Sequence, residues 1–352
     1  MNKSPDPQTE IFARYSRNSV IMVEFKVVKG SPDGTLVDAT SSREVKSDEV
    51  VIDVTHSGVC FTDYHYRQAD MVLGHEGSGI VKQIGSGVTR FKVGDRVGWG
   101  YQYNSCGHCK QCLTGRETFC AEQEMFGLAN FDQGSFASAA VWKEDFIYKI
   151  PDNISSSHAG PLMCGGSTVF NALKLNGIRP TDRVGVIGVG GLGHLAIQFA
   201  SKMGCQVVVF SSTEQKRAEA MTFGASEFYT TKGVEKLEIS APIDHLLVTS
   251  NAQPDWNLFL PIMAPEGKIY PITVSFDNIS VPAMGLIMGG LRIQGNMIAT
   301  RQIHREMLEF AARHNIAPVV EEFPLTAAGA TEALQKLLDG GMRYRGVLVA
   351  QK

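Results

Sequence analysis

Short apolar runs mark most of this chain, and their grammar changes near Pro151. Between Val20 and about Tyr148 come VIMVEFKVV, EVVIDVTHSGV, GIVKQIGSGV, DRVGWGYQY and ASAAVWKEDFIYKI. They are rich in β-branched and aromatic residues and punctuated by Gly, Asp and Asn, which predicts the strands and turns of a partly closed β-domain. After Pro151, RVGVIG, HLAIQFASKMG, QVVVF, TEQKRAEAMTFGA, DHLLVTS and GKIYPITV alternate strand and helix at βαβ spacing. These strands are near-continuous apolar runs, as parallel strands covered on both faces should be. REMLEFAARHNI and AAGATEALQKLLDGG then read as amphipathic helices and GVLVA as a final strand. The fold class is therefore α/β: a β-rich domain, a doubly wound parallel-sheet domain and a return segment that rejoins the first. The expected division is 1–165 with 303–352, and 166–302. Residues 1 to about 18 are polar with two prolines and read as a loosely held arm.

Composition narrows the function classes. The 352 residues carry 33 Lys+Arg against 36 Asp+Glu, with 43% hydrophobic and 20% charged residues. That balance excludes binding of nucleic acid through bulk positive charge and excludes a largely disordered chain. No apolar run reaches the roughly 20 residues a membrane helix needs, and MNKSPDPQTEIFARYSR lacks the apolar core of a secretory signal. A soluble, cytoplasmic protein is expected. Two counts call for placement, 36 glycines and 7 cysteines.

Cys106, Cys109, Cys112 and Cys120 form C-x2-C-x2-C-x7-C in a polar loop. Four thiolates complete a tetrahedral, closed structural zinc site. Disulfides or core thiols are the competing readings, but the missing secretory signal and the polar loop disfavour both. His108 lies inside the cluster and is expected to remain solvated. A second inventory is scattered. Cys60 precedes Thr62, Asp63 and His65; His75 and Glu76 lie in GHEGSG; Cys164 lies in PLMCGG. Two thiolates, an imidazole and a carboxylate suit a catalytic zinc with an open position, although each residue singly reads as core or surface.

Gly188-Val189-Gly190-Gly191-Leu192-Gly193 follows the strand RVGVIG and opens the helix HLAIQFA, the context in which G-x-G-x-x-G marks a Rossmann dinucleotide turn. A plain βα turn is the bland alternative. Past QVVVF, an NAD site would place a carboxylate on the ribose diol; here stand Ser211, Ser212 and Lys216, which suit a 2′-phosphate and predict NADP(H). Arg217 reads equally well as a solvated helix face.

On GVCxTDxH, GHEGxG, GDRV, the four-cysteine lobe, Cys164 with Thr168, GxGGLG, SSxxxK and RYRGVLV, the sequence resembles the zinc-dependent medium-chain alcohol dehydrogenases, in their cinnamyl-alcohol-dehydrogenase-like branch. The resemblance implies a GroES-like catalytic domain and two zinc ions per chain. It implies that Cys60, His75 and Cys164 bind the catalytic zinc, with Glu76 alternating or nearby and Asp63 orienting His75. Thr168 would lie near the nicotinamide, Arg345 near the phosphates, and Thr62 and His65 in a proton relay. A homodimer joined near ISVPAMGLIMGGLRIQGNM is implied too. The expected activity is NADPH-dependent reduction of an aldehyde, with a small-molecule substrate and no nucleic-acid or membrane partner. Reduction of a conjugated alkene or iminium is the alternative on the same fold, and a non-catalytic zinc-lobe module the alternative of another class. Three positions depart from the family pattern: Phe61 stands where His or Arg is common, Leu73 replaces a common Pro, and the Cys60-to-His75 interval is short. These predict a wider pocket for a bulky aldehyde, with Trp99, Tyr101, Gln102, Met297 and Ile298 as candidate lining.

Overall fold

The computed structural model describes residues 21–351. The expected N-terminal arm lies outside them. Six parallel strands form one sheet in the order Glu227–Thr230, Gln206–Ser211, Arg183–Ile187, Ile243–Val248, Met263–Pro271, Arg292–Ile293. Strand alternation divides their side chains between two cores. Val184, Val186, Val207 and Val209 enter one apolar cluster with the helices Ser167–Leu175 and Gly193–Lys202, while Ile187, Val208 and Phe210 enter another with Phe259 and Ile262. Both faces of the sheet are thus covered, which is why the strands read as continuous apolar runs. Strand order reverses between Arg183–Ile187 and Ile243–Val248, and the crevice beyond the carboxyl ends of such a pair is where doubly wound sheets bind ligands.

The other large sheet is mainly antiparallel. Val320–Pro324, Arg345–Val349, Glu49–Val59, Gly77–Ile84, Arg96–Trp99 and Ile147–Lys149 run in that order, and Ala139–Lys143 pairs with Glu49–Val59. The C-terminal strand therefore rejoins the β-rich unit, as the sequence predicts. The helix Arg301–His314 packs its buried residues Ile303, Met307, Leu308 and Ala311 into the cluster that holds Val169 and Leu195. Several elements escape the sequence reading: the polar strand Val37–Glu44, the short helix Phe61–Tyr66, the strand Glu227–Thr230 and the helix Ala283–Gly289. Among the described residues no helix is long and apolar enough to cross a membrane.

Two glycines shape the turn above the first parallel strand. Gly188 has φ +93, a left-handed conformation that L side chains rarely adopt. A Cβ on Gly193 would collide with the carbonyl oxygen of Gly188 and lie 2.8 Å from Thr249 Oγ1. Gly193 thus permits the helix to start against the strand it follows. Gly193→Ala is expected to lower stability by about 1–3 kcal/mol, read as a lower denaturant midpoint; an unchanged midpoint would mean that the helix backs away freely.

Candidate active site

A single buried carboxylate organises the metal-ligand candidates. Cys60 caps the helix Phe61–Tyr66, and its backbone N–H donates to Asp63 Oδ2 at 2.9 Å. The other oxygen, Oδ1, accepts from the Gly74 N–H at 3.1 Å and faces His75 Nδ1 at 3.1 Å. Asp63 is fully buried and carries no lone proton donor of its own when ionised, so Nδ1 of His75 takes the donor role and Nε2 presents a lone pair. That Nε2 is buried with no hydrogen-bond partner, and so is Glu76 Oε2.

The far ligand comes from a different element. The helix Ser156–Pro161 runs into a π turn, Leu162–Gly166, that carries Cys164. Pro161 cannot donate the usual helical hydrogen bond, and a one-residue widening of this kind re-aims a side chain. As a result, one ligand atom from each of Cys60, His75, Glu76 and Cys164 lies within 4.8 Å of the others. A hydrogen bond between the two thiols holds Cys60 well below its ordinary range against burial, with His75 and Arg345 assisting, and raises Cys164 well above. Soft sulfur donors, a bare imidazole nitrogen and an orphaned carboxylate oxygen at one point are a set that a zinc ion satisfies. Glu76 is also held from behind: Arg345 Nη2 donates to its Oε1. Burial pushes its carboxyl up to about 7 against the opposing Arg345 charge.

The four-cysteine lobe is assembled independently. Its four sulfurs also lie within 4.8 Å of one another. Backbone N–H groups of Cys109 and Cys106 donate to Cys106 Sγ at 3.3 Å and Cys120 Sγ at 3.4 Å. Backbone hydrogen bonding, first from His108, holds the Cys106 thiol down to about 6. The His108 ring is exposed, with Nδ1 on the Cys106 carbonyl at 2.8 Å. All seven cysteines are unpaired, so the disulfide reading fails. Cys205 is a buried thiol pushed by burial up to about 11, a core role as expected.

One cleft of about 920 Å³ joins the metal-ligand end to the dinucleotide turn. Cys60, Thr62, Cys164 and Thr168 line one end, residues 188–192 the middle, and Ser211, Ser212 and Lys216 the far end. Lys216 Nζ donates to the Val189 carbonyl at 2.8 Å. Arg345 also lines the cleft, 3.0 Å from where a Cβ on Gly191 would stand. Thr62 Oγ1 lies 3.6 Å from Cys60 Sγ.

Two of the expected lining residues need correction. Trp99 is fully buried and packs on Trp142 at 5.8 Å, and Gln102 donates to the Asn104 and Glu117 carbonyls; neither lines the cleft, whereas Phe61, Tyr101, Met297 and Ile298 do. Arg217 pairs with Glu214 outside it. His65 is exposed and lies beyond the lining, its ring edge-on to Phe276 at 5.4 Å. Gly193 lies just behind the lining residues 188–192, packed against the Gly188 carbonyl. Leu73 fills an apolar cluster with Phe126 and Phe136.

His194 was not anticipated. Its Nδ1 donates to the Gly190 carbonyl at 3.0 Å and its Nε2 accepts from the Val319 N–H at 3.2 Å. Burial pushes this imidazole down to about 3, which keeps Nε2 an acceptor. Its only sequence signal is adjacency to Gly193.

Comparison with known proteins agrees with this arrangement. Residues 46–152 match the family model "Alcohol dehydrogenase GroES-like domain", and residues 191–313 match "Zinc-binding dehydrogenase". An aldehyde reductase of Synechocystis sp. is 34% identical over 314 residues, 87% of this chain and 92% of that protein. A cinnamyl alcohol dehydrogenase structure from Sorghum bicolor superposes with a TM-score of 0.86 at 29% identity, covering 94% of this chain and 98% of the other. The structure of CAD from Helicobacter pylori complexed with NADP(H) gives 0.85 at 27% identity, covering 94% and 99%.

Asp63→Asn places an NH2 where one of these donors needs an acceptor. It is expected to weaken metal binding at the Cys60 set by about 10–100-fold without affecting the four-cysteine lobe. Competitive metal titration measures both, and equal affinity in the variant would remove Asp63 from the orienting role.

Proposed function

The chain belongs to the zinc-dependent medium-chain alcohol dehydrogenases, in their cinnamyl-alcohol-dehydrogenase-like branch, and on that premise we propose that it reduces a bulky, aromatic or conjugated aldehyde reversibly to a primary alcohol with NADPH. The observation that carries the reading is the cleft itself, in which the metal-ligand candidates and the dinucleotide turn share one space. Cys60, His75 and Cys164 would hold the catalytic zinc, with Glu76 as an alternate ligand, and Cys106, Cys109, Cys112 and Cys120 a structural one. In this reading 1–165 with 303–352 is the catalytic unit and 166–302 the cofactor unit. When bound, zinc supplies a Lewis acid for the carbonyl oxygen and the nicotinamide supplies a hydride.

The remaining work falls to the protein's own groups. Asp63 keeps the His75 Nε2 lone pair turned to the ligand point. Thr62, buried beside Cys60, holds the proton that the alcohol oxygen needs, and His65, three residues later on the same short helix, exchanges it with water. Ser211, Ser212 and Lys216 receive the 2′-phosphate. Glu214, the nearby carboxylate that would oppose it, is paired with Arg217. Thr168 stands at the nicotinamide end, and the turn 188–193 with Arg345 at the pyrophosphate.

We assign the protein to the cytoplasm, where its seven unpaired thiols stay reduced. We also assign a homodimer. The strand Arg292–Ile293 ends the parallel sheet, and beside it Met284, Ile287 and Met288 are 63–80% exposed.

Four measurements test the reading. Metal analysis is expected to give two zinc per chain, and one would leave only the lobe. Thr62→Val and His65→Ala are each expected to lower kcat by about 10²-fold or more, and if neither does, the relay is wrong. With an aldehyde panel, Lys216→Ala is expected to raise KM for NADPH about tenfold or more while sparing NADH; equal effects on both would remove Lys216 from phosphate recognition. An enal should give the allylic alcohol, and a saturated aldehyde would transfer the assignment to alkene reduction.

A further inference from the structure

Away from the ligand set and the glycine turn, two asparagines 125 residues apart clasp the reactive end of the cleft. Asn171 Nδ2 donates to Asn296 Oδ1 at 2.8 Å, and Asn296 Nδ2 donates to the Thr168 carbonyl at 3.2 Å. Thr168 and Asn171 sit one turn apart on the helix Ser167–Leu175. Asn296 belongs to the short span that leads from the last parallel strand to the helix Arg301–His314. Thr168, Asn296, Met297 and Ile298 all line the cleft, and Thr168 follows Cys164 by four residues where the π turn passes into the helix.

Two features set this clasp apart from ordinary helix packing. Asn171 is 3% exposed and its neighbours Phe170, Ala172 and Leu173 belong to a large apolar cluster, yet its Oδ1 has no partner. An apolar side chain at 171 would bury no orphaned oxygen, so what Asn171 gains over one is its single donation to Asn296. The second feature is Ile298, a β-branched residue at φ +35. Such a conformation persists only where surrounding contacts over-determine it, and Asn296, held by two hydrogen bonds, lies two residues earlier in the chain.

We propose that Asn171 is a positioning residue for hydride transfer: by holding Asn296 it fixes the Met297–Ile298 wall against Thr168 and so fixes the plane of the cofactor ring lying there. The inference rests on the reading that places the nicotinamide beside Thr168. Asn171 touches no reacting atom and acts through the wall.

The test is Asn171→Leu, which keeps the branched shape and suits the apolar surroundings. Binding of NADPH, followed by its fluorescence, is expected to stay within about threefold of the parent, because the turn and the phosphate groups are untouched. The fluorescence lifetime of the bound reduced nicotinamide should shorten as the ring gains freedom. In turnover, kcat should fall about tenfold or more with a larger isotope effect from NADPH deuterated at C4. Unchanged lifetime and kcat overturn the proposal. If Asn171→Leu does not fold, Asn296→Asp decides: it retains the acceptor for Asn171 but loses the donor to Thr168, and a partial shortening of the lifetime supports the clasp while no change overturns it. A parent protein that binds neither NADPH nor NADH would bring down the functional reading, and this inference with it, a result distinct from normal binding with an indifferent Asn171.

Discussion

The Asp63 carboxylate is the constraint on which the site depends. Three nitrogen donors from two chain segments converge on it: the N–H of Cys60, the N–H of Gly74 and the ring of His75. None is a full cation of the Lys or Arg kind, so the buried charge is held by oriented dipoles and one imidazole. The segment between Cys60 and His75 is thereby drawn into a closed loop whose two ends present their ligand atoms at one point. Glu76 follows immediately and is fixed by separate contacts. Its N–H donates to Ser135 Oγ at 3.2 Å, and its carbonyl accepts from the Gly58 N–H at 2.9 Å. Gly58 has to lack a side chain, since a Cβ there would overlap the Glu76 carboxylate. The ligand set is therefore a property of the strand Glu49–Val59 and its neighbours, and rigid elements of this kind hold a site more accurately than free loops.

The return of the chain to the β-rich sheet gains a functional meaning from the same contacts. Residues 319–345 form a seam between the dinucleotide turn and the ligand set. Val319 donates to His194, which in turn holds the Gly190 carbonyl. Tyr344 stacks on His194 at 4.8 Å and lies 4.9 Å beneath the Lys216 ammonium. Arg345 then reaches from beside Gly191 to Glu76. The returning chain thus touches the turn, Lys216 and the candidate ligand set, so the relative placement of the two units is registered along the cleft.

What the sequence disclosed and what it hid divide along a physical line. The closely spaced motifs were readable because their geometry is local: the cysteine lobe assembles within fifteen residues, and the glycine turn needs only the strand before it and the helix after it. Cys60, His75 and Cys164 were readable as an inventory, but their meeting depends on a π turn behind Pro161 that no periodicity reveals. Trp99 and Gln102 were misplaced for a related reason. Trp99 ends one strand and Gln102 begins the next, so closeness in sequence to Tyr101, which lies between the strands, does not bring them to the cleft: Trp99 packs in the core with Trp142, and the Gln102 amide is spent on the Asn104 and Glu117 carbonyls. Asn171 and Asn296 gave no signal and His194 only its place after Gly193, since such a polar residue shows its purpose only when a partner 125 residues away is seen.

Phe61 poses the sharper question of how a near-neutral protein holds a polyanion. Among the described lining residues of the cleft, Lys216 and Arg345 are the only lysine and arginine. Arg345 pairs with Glu76 through Nη2, so much of its charge is met there, and Phe61 contributes an apolar face where the family often has a cation. In the proposed reading the pyrophosphate would then be met chiefly by backbone N–H groups of the turn and by the positive end of the helix Gly193–Lys202. That makes cofactor binding depend on the shape of the turn more than on charge. On that reading the groups holding the shape, Gly193 against the Gly188 carbonyl and His194 on the Gly190 carbonyl, would matter to cofactor binding as much as the residues that would touch the phosphates.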